Sequence, residues 1–225
     1  MPSIRQHWPD LLPTAEAVEQ LIAALKSNRK VRPVVTPTGH RARGKFPSIK
    51  GKETRFESLV EEDALRVLEV AASVLAIQTH PWVLALCDLN GDRFHYTPDS
   101  FVRCRYSGFL VEVKGDWLLK RQPSADSLLR TFRALDGHGV PIALLTESDV
   151  RTPGLQDELK ELLRLRPVGG RLRAGVDASR WDPVGGATPT VGLLRRWRDA
   201  QQECDALLER VMRRGPDEAV AAFSE

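Results

Sequence analysis

The chain has 225 residues, 42% of them apolar, and a formal net charge of +3, which is enough apolar material for the core of one large domain or of one domain with an appendage. No apolar run reaches the ~18 residues of a membrane span, and the N-terminus, MPSIRQHWPD, lacks a signal-peptide core, so a soluble, cytoplasmic protein is expected. Three widely spaced cysteines, Cys87, Cys104 and Cys204, indicate neither a disulfide framework nor a zinc cluster; Cys87 and Cys104 read as core residues of strands.

The first predicted element is a helix over AEAVEQLIAALKSN, capped by Thr14, with Val18, Leu21, Ile22 and Leu25 on one apolar face. Across residues 28–55 the charge is lopsided: Arg29, Lys30, Arg32, Arg41, Arg43, Lys45, Lys50, Lys52 and Arg55 stand against one acid, Glu53. Prolines, glycines and few apolar anchors make this segment a loop or arm, suited to a polyanion or equally to a solvated linker. Ser58 then opens a helix, with Glu61 three residues on completing a capping box and Leu59, Leu65, Leu68 and Ala72 on the buried face.

Strands follow over residues 74–77, 82–86 and 93–96, the last two joined by an Asn90-Gly91 turn. Residues 101–105 and 109–114 form a further hairpin around Tyr106, Ser107 and Gly108. A helix capped by Ser124 and ending at Gly137 and Gly139 leads to an apolar strand over 140–145, and this crossover predicts parallel pairing. An amphipathic helix over 155–165, a glycine-rich loop over 169–186 and a basic helix over 191–214 complete the chain. The last helix sets Leu193, Leu194, Trp197, Leu207, Leu208 and Val211 at apolar positions and offers Arg195, Arg196, Arg198, Arg210, Arg213 and Arg214 to DNA or a partner.

The chemistry gathers in YTPDSFVRCRYSGFLVEVK, residues 96–114. Strand alternation puts Glu112 and Lys114 on one side with Leu110, and Val111 and Val113 on the other. Asp99 follows Pro98, so its carboxylate can sit beside Glu112 across the hairpin. Two carboxylates with a lysine beside them suit a hard divalent cation, magnesium or manganese. The lysine can orient or help deprotonate a water, or stabilise developing negative charge, and the natural reaction is hydrolysis of a phosphate ester. The bland alternative is a surface hairpin whose Glu112 and Lys114 pair in solvent.

Pro98, Asp99, Glu112, Val113 and Lys114 resemble the pattern of the PD-(D/E)xK nuclease superfamily. Taken with SLVEEDALRVLEVAASVLAIQTHP, YTPD, LVEVKGD and GVPIALLTESDVR, the order and intervals over residues 56–151 resemble the catalytic domain of TnsA, the endonuclease subunit of heteromeric transposases. The resemblance implies an α/β fold with a restriction-endonuclease-like core and a central mixed β-sheet flanked by helices; the family's larger members add a winged-helix C-terminal domain, which the small helical C-terminal region read here would reduce or replace. It divides the chain into an N-terminal helix and basic arm (1–55), the nuclease core (56–151) and a helical region for partner or DNA contact (152–225).

By the same resemblance the helix glutamate falls on Glu61, with Glu57 and Glu62 as alternatives within a turn. Asp99, Glu112, the carbonyl of Val113 and Glu61 would hold magnesium, and Lys114 would position the attacking water. The best-known member has glutamine at the Glu112 position, and its relatives carry a similar glutamine or proline near Gln78, His80 and Pro81. Expected DNA contacts are Arg41, Arg43, Lys45, Lys50, Lys52, Arg55 and His80. The implied partners are double-stranded DNA at transposon ends, a TnsB-like recombinase and a TnsC-like ATPase regulator. A stand-alone nuclease of phage defence or repair, or a catalytically silent DNA-binding assembly protein, are the alternative readings.

Overall fold

The structure is a computed structural model that describes residues 12–31, 42–165 and 191–223; Arg32, Arg41 and the predicted loop over 169–186 lie outside these. In chain order the elements are α1 (Ala15–Leu25), β1 (Gly44–Lys45), β2 (Arg55–Phe56), α2 (Leu59–Val70), β3 (Val74–Thr79), β4 (Leu84–Cys87), β5 (Arg93–Tyr96), β6 (Ser100–Cys104) and β7 (Gly108–Lys114). There follow α3 (Asp116–Leu119), α4 (Gln122–Gly137), β8 (Ile142–Thr146), α5 (Glu147–Val150), α6 (Leu155–Leu165), α7 (Val191–Arg214) and α8 (Pro216–Ala221).

The fold is mixed α/β, with a mixed central sheet flanked by helices. Four strands run in the order β3-β6-β7-β8; β3 and β7 pair antiparallel with β6, and β8 pairs parallel with β7 after the α4 crossover. The two-residue alternation of β7 divides its side chains between two apolar layers. Phe109, Val111 and Val113 join α2, α6 and α7 through Leu68, Leu159, Leu162, Trp197 and Leu208. Leu110 joins α1, α4 and β4 through Ile22, Leu135 and Leu84. Because both faces are covered, the strand is buried along nearly its whole length. Helices α6 and α7, from the region set apart in sequence, thus share a core with the sheet.

Several local expectations are corrected. The first helix ends at Leu25 rather than Asn28, because Lys26 bridges to Leu84 and the Ser27 N–H donates to Val83 at 2.8 Å. The helix expected from Ser124 is α4, which begins at Gln122 after the short α3, with Pro123 in its first turn and Arg121 rather than Ser124 at the cap. Cys87 is exposed, since β4 turns Leu84 and Leu86 inward and Ala85 and Cys87 outward. Strands β4 and β5 form a ribbon of their own outside the four-stranded sheet.

The segment expected to be a basic arm is folded down where it is described. Residues of β1 pair with β2, and Phe46 is buried. Glu69 accepts from the Ser48 hydroxyl at 2.5 Å and the Ile49 N–H at 2.9 Å. The Lys50 ammonium donates to the carbonyls of Leu68 (3.0 Å) and Ala71 (2.6 Å). A cation at these orphan carbonyls satisfies the C-terminus of α2 and offsets its dipole.

Candidate active site

Glu61 lies in the first turn of α2, which the Ser58 hydroxyl caps by accepting the Glu61 N–H. Its carboxylate accepts from the Glu57 N–H at 2.7 Å and the Ser58 hydroxyl at 3.1 Å, so it closes the cap one residue earlier than a capping box requires. Two oxygens bound this way still offer lone pairs elsewhere. Burial raises the Glu61 pKa, against the lowering effect of those hydrogen bonds and of Lys114.

Asp99 sits just before β6. Ser100 pairs with Val111, so Asp99 continues the register towards Glu112, and its carboxylate accepts from the Val113 N–H at 2.8 Å. Burial lifts its pKa from 3.8 to about 6; Lys114, 3.7 Å away, opposes the shift, and Glu61 reinforces it.

His80 follows the last residue of β3, beside them. Its backbone N–H donates to the Asp99 carbonyl at 2.9 Å, continuing the pairing of Thr79 with Ser100. It is the only non-glycine with positive φ among the described residues, at 46°, a conformation costing about 1–3 kcal/mol. Its Nδ1 is buried without a hydrogen-bond partner among the described residues, and Nε2 lies 4.0 Å from Glu61 Oε2. Burial lowers its pKa and keeps the imidazole neutral, with Glu57 and Glu112 opposing.

These three elements bring one donor atom each of Glu61, His80 and Asp99 within 4.8 Å of one another. Glu112 is oriented differently. It leaves β7 on the face opposite Val111 and Val113, accepts the Tyr96 hydroxyl at 2.6 Å and pairs with the Lys114 ammonium. Burial raises its pKa, and Asp99 adds to the effect. Lys114 also donates to the Val113 carbonyl at 3.1 Å. Burial alone would lower its pKa, but Glu112 and Asp99 outweigh that and hold it well above the usual lysine value. In this arrangement Lys114 is an ammonium that donates, which suits positioning a water and stabilising charge.

Buried Glu112 and partly buried Asp99 thus share the Lys114 ammonium, with partly buried Glu61 close by, an excess of negative charge that a divalent cation would balance. Glu61 and Asp99 supply hard oxygen donors for it. A void of about 10 Å³, lined by both carboxylates with Arg55, Thr79 and Val113, is at the lower edge of what one water needs. Glu57 and Glu62 are placed differently: Glu57 faces Arg43 at 4.0 Å, and Glu62 pairs with Arg66 at 2.6 Å.

A cleft of about 610 Å³ opens beside the cluster, lined by His80, Arg55, Lys52, Lys50 and Gln78 among others. Lys52 is exposed, and Arg55 lines both cleft and void with its Nε unpartnered among the described residues. Lys50 is turned inward on α2, Lys45 is exposed on β1, and Arg43 is partly buried. On α7, Arg196 is held by Glu158 and Glu161, Arg213 by Glu209 and Arg214 by Asp149; Arg195, Arg198 and Arg210 are exposed. Sequence reasoning assigned Tyr96 no part in the site; its signal was two-residue spacing from Pro98 in YTPD at a strand end. The left-handed backbone of His80 has no sequence signal.

No protein-family model matches the chain, and no curated protein matches it.

Proposed function

We propose that the protein is a divalent-metal-dependent phosphodiesterase with a restriction-endonuclease-like core, acting on DNA as the endonuclease subunit of a TnsA-like heteromeric transposase. The observation that carries this reading is the convergence of Glu61, His80 and Asp99 within 4.8 Å, beside a Lys114 ammonium 3.7 Å from Asp99. The mixed sheet, with the glutamate-bearing helix preceding it and a parallel strand following, is consistent with that core.

Magnesium at this site would neutralise charge on the scissile phosphate and acidify a bound water. Asp99 and Glu61 would hold the ion, and the Val113 N–H fixes the orientation of Asp99. Lys114 would donate to the attacking water or to a phosphate oxygen, stabilising charge that grows in the transition state. Tyr96 anchors Glu112, which keeps the Lys114 ammonium in place. Lys52 and Arg55 would meet the DNA backbone in the cleft. A TnsB-like recombinase and a TnsC-like ATPase would be the partners, with cleavage at the 5′ ends of the element.

One observation favours a second reading, a catalytically silent DNA-binding protein: both Glu112 oxygens are engaged by Tyr96 and Lys114. Nicking of transposon-end DNA in magnesium, with and without a TnsB-like recombinase, separates the two. The hydrolase reading expects strand cuts that Asp99→Ala abolishes while circular dichroism stays unchanged. Equal cutting by that variant, or DNA binding without cutting in the presence of an active recombinase, favours the silent protein.

A further inference from the structure

We infer that His80 is a nitrogen ligand of the site's divalent ion, and that it shifts the site's preference from magnesium towards first-row transition ions, of which manganese serves as the probe. The inference rests on the hydrolase reading only in needing an ion at Asp99. Three independent observations meet on this side chain. Its Nε2 faces Glu61 Oε2 at 4.0 Å, too far for a hydrogen bond but suited to two donors on opposite sides of one ion with bonds of about 2.1 Å. Its other nitrogen is buried with no partner among the described residues, so the ring is not held there by hydrogen bonding. Its backbone is held at φ 46°, an uncommon conformation for any residue with a side chain, though one that histidine tolerates better than most.

A histidine in an uncommon left-handed conformation, with a buried ring that gains no hydrogen bond among the described residues, points to a role for the ring itself. The backbone bond from the His80 N–H to the Asp99 carbonyl fixes the main chain of the two donor residues side by side. Magnesium accepts oxygen donors and retains water, whereas imidazole strengthens binding of first-row transition ions. One ring nitrogen among two carboxylates therefore shifts the preference without excluding magnesium.

The test is manganese binding to the full chain, by calorimetry and by pulsed electron paramagnetic resonance, for the wild type and for His80→Gly, His80→Gln and Asp99→Asn. Glycine suits φ 46°, so His80→Gly is expected to melt at or above the wild-type temperature, which removes misfolding as an explanation. The expected result is ¹⁴N coupling to manganese in the wild type that both His80 variants lose. Their manganese affinity should fall by roughly tenfold or more with little change for magnesium. Manganese bound through Asp99 but without nitrogen coupling, at equal strength in wild type and His80→Gly, overturns the assignment and leaves the hydrolase reading standing. No Asp99-dependent ion of either kind overturns both.

Discussion

Burial governs the acids of the site more than any single partner does. Burial pushes the Asp99 pKa up to about 6 from 3.8, so in the metal-free protein its stabilising contribution is complete below 3.8 and fades as pH rises through 6. The difference is on the order of 3 kcal/mol at neutral pH. Metal-free wild type should therefore lose stability between pH 4 and about 6.5 relative to Asp99→Asn, as urea unfolding will report; parallel pH profiles would contradict the burial of this carboxylate. Lys114 is the only cation against Asp99 and Glu112 among the ion pairs of the described residues. Lys114→Met leaves two buried acids uncompensated and should destabilise by about 1–3 kcal/mol, measured by the same unfolding curves.

Among the elements, α2 carries two duties at its two ends. Its N-terminus holds Glu61, and its C-terminus is closed by Lys50 on the Leu68 and Ala71 carbonyls. Lys50→Met should cost about 1–2 kcal/mol and leave the salt dependence of DNA binding unchanged, whereas neutralising Lys52 and Arg55 together should flatten it by about two phosphate contacts. Binding measured over a range of salt separates these roles. Sequence alone named Lys50 with Lys52 as phosphate ligands because composition registers a charge and not where it points. The hairpin of β6 and β7, the parallel β8 and the cap of α2 were legible, since turn residues, alternation and Ser58 act locally. The convergence of His80 with Glu61, and the turning of Glu112 to Tyr96, depend on which strands pair and on one left-handed residue, and neither is written in local pattern.

At the scale of the molecule, helices from both ends of the chain cover the sheet that carries the site. Trp197 of α7 is fully buried against the same apolar layer as Leu68 and Val111, and the Arg214–Asp149 pair at 2.7 Å ties that helix to α5, which follows β8. Trp197→Ala should cost about 3–5 kcal/mol and weaken divalent binding in step with stability, as thermal melts with and without manganese will show. Among the described residues no helix is long and apolar enough to cross a membrane. The most direct measurement of the central claim is the stoichiometry of manganese bound per chain. One ion per chain is expected, lost in Asp99→Asn and weakened in Glu61→Gln, with both variants folded. Undiminished binding in both would show that these side chains do not share a cation and would remove the basis of the proposed chemistry.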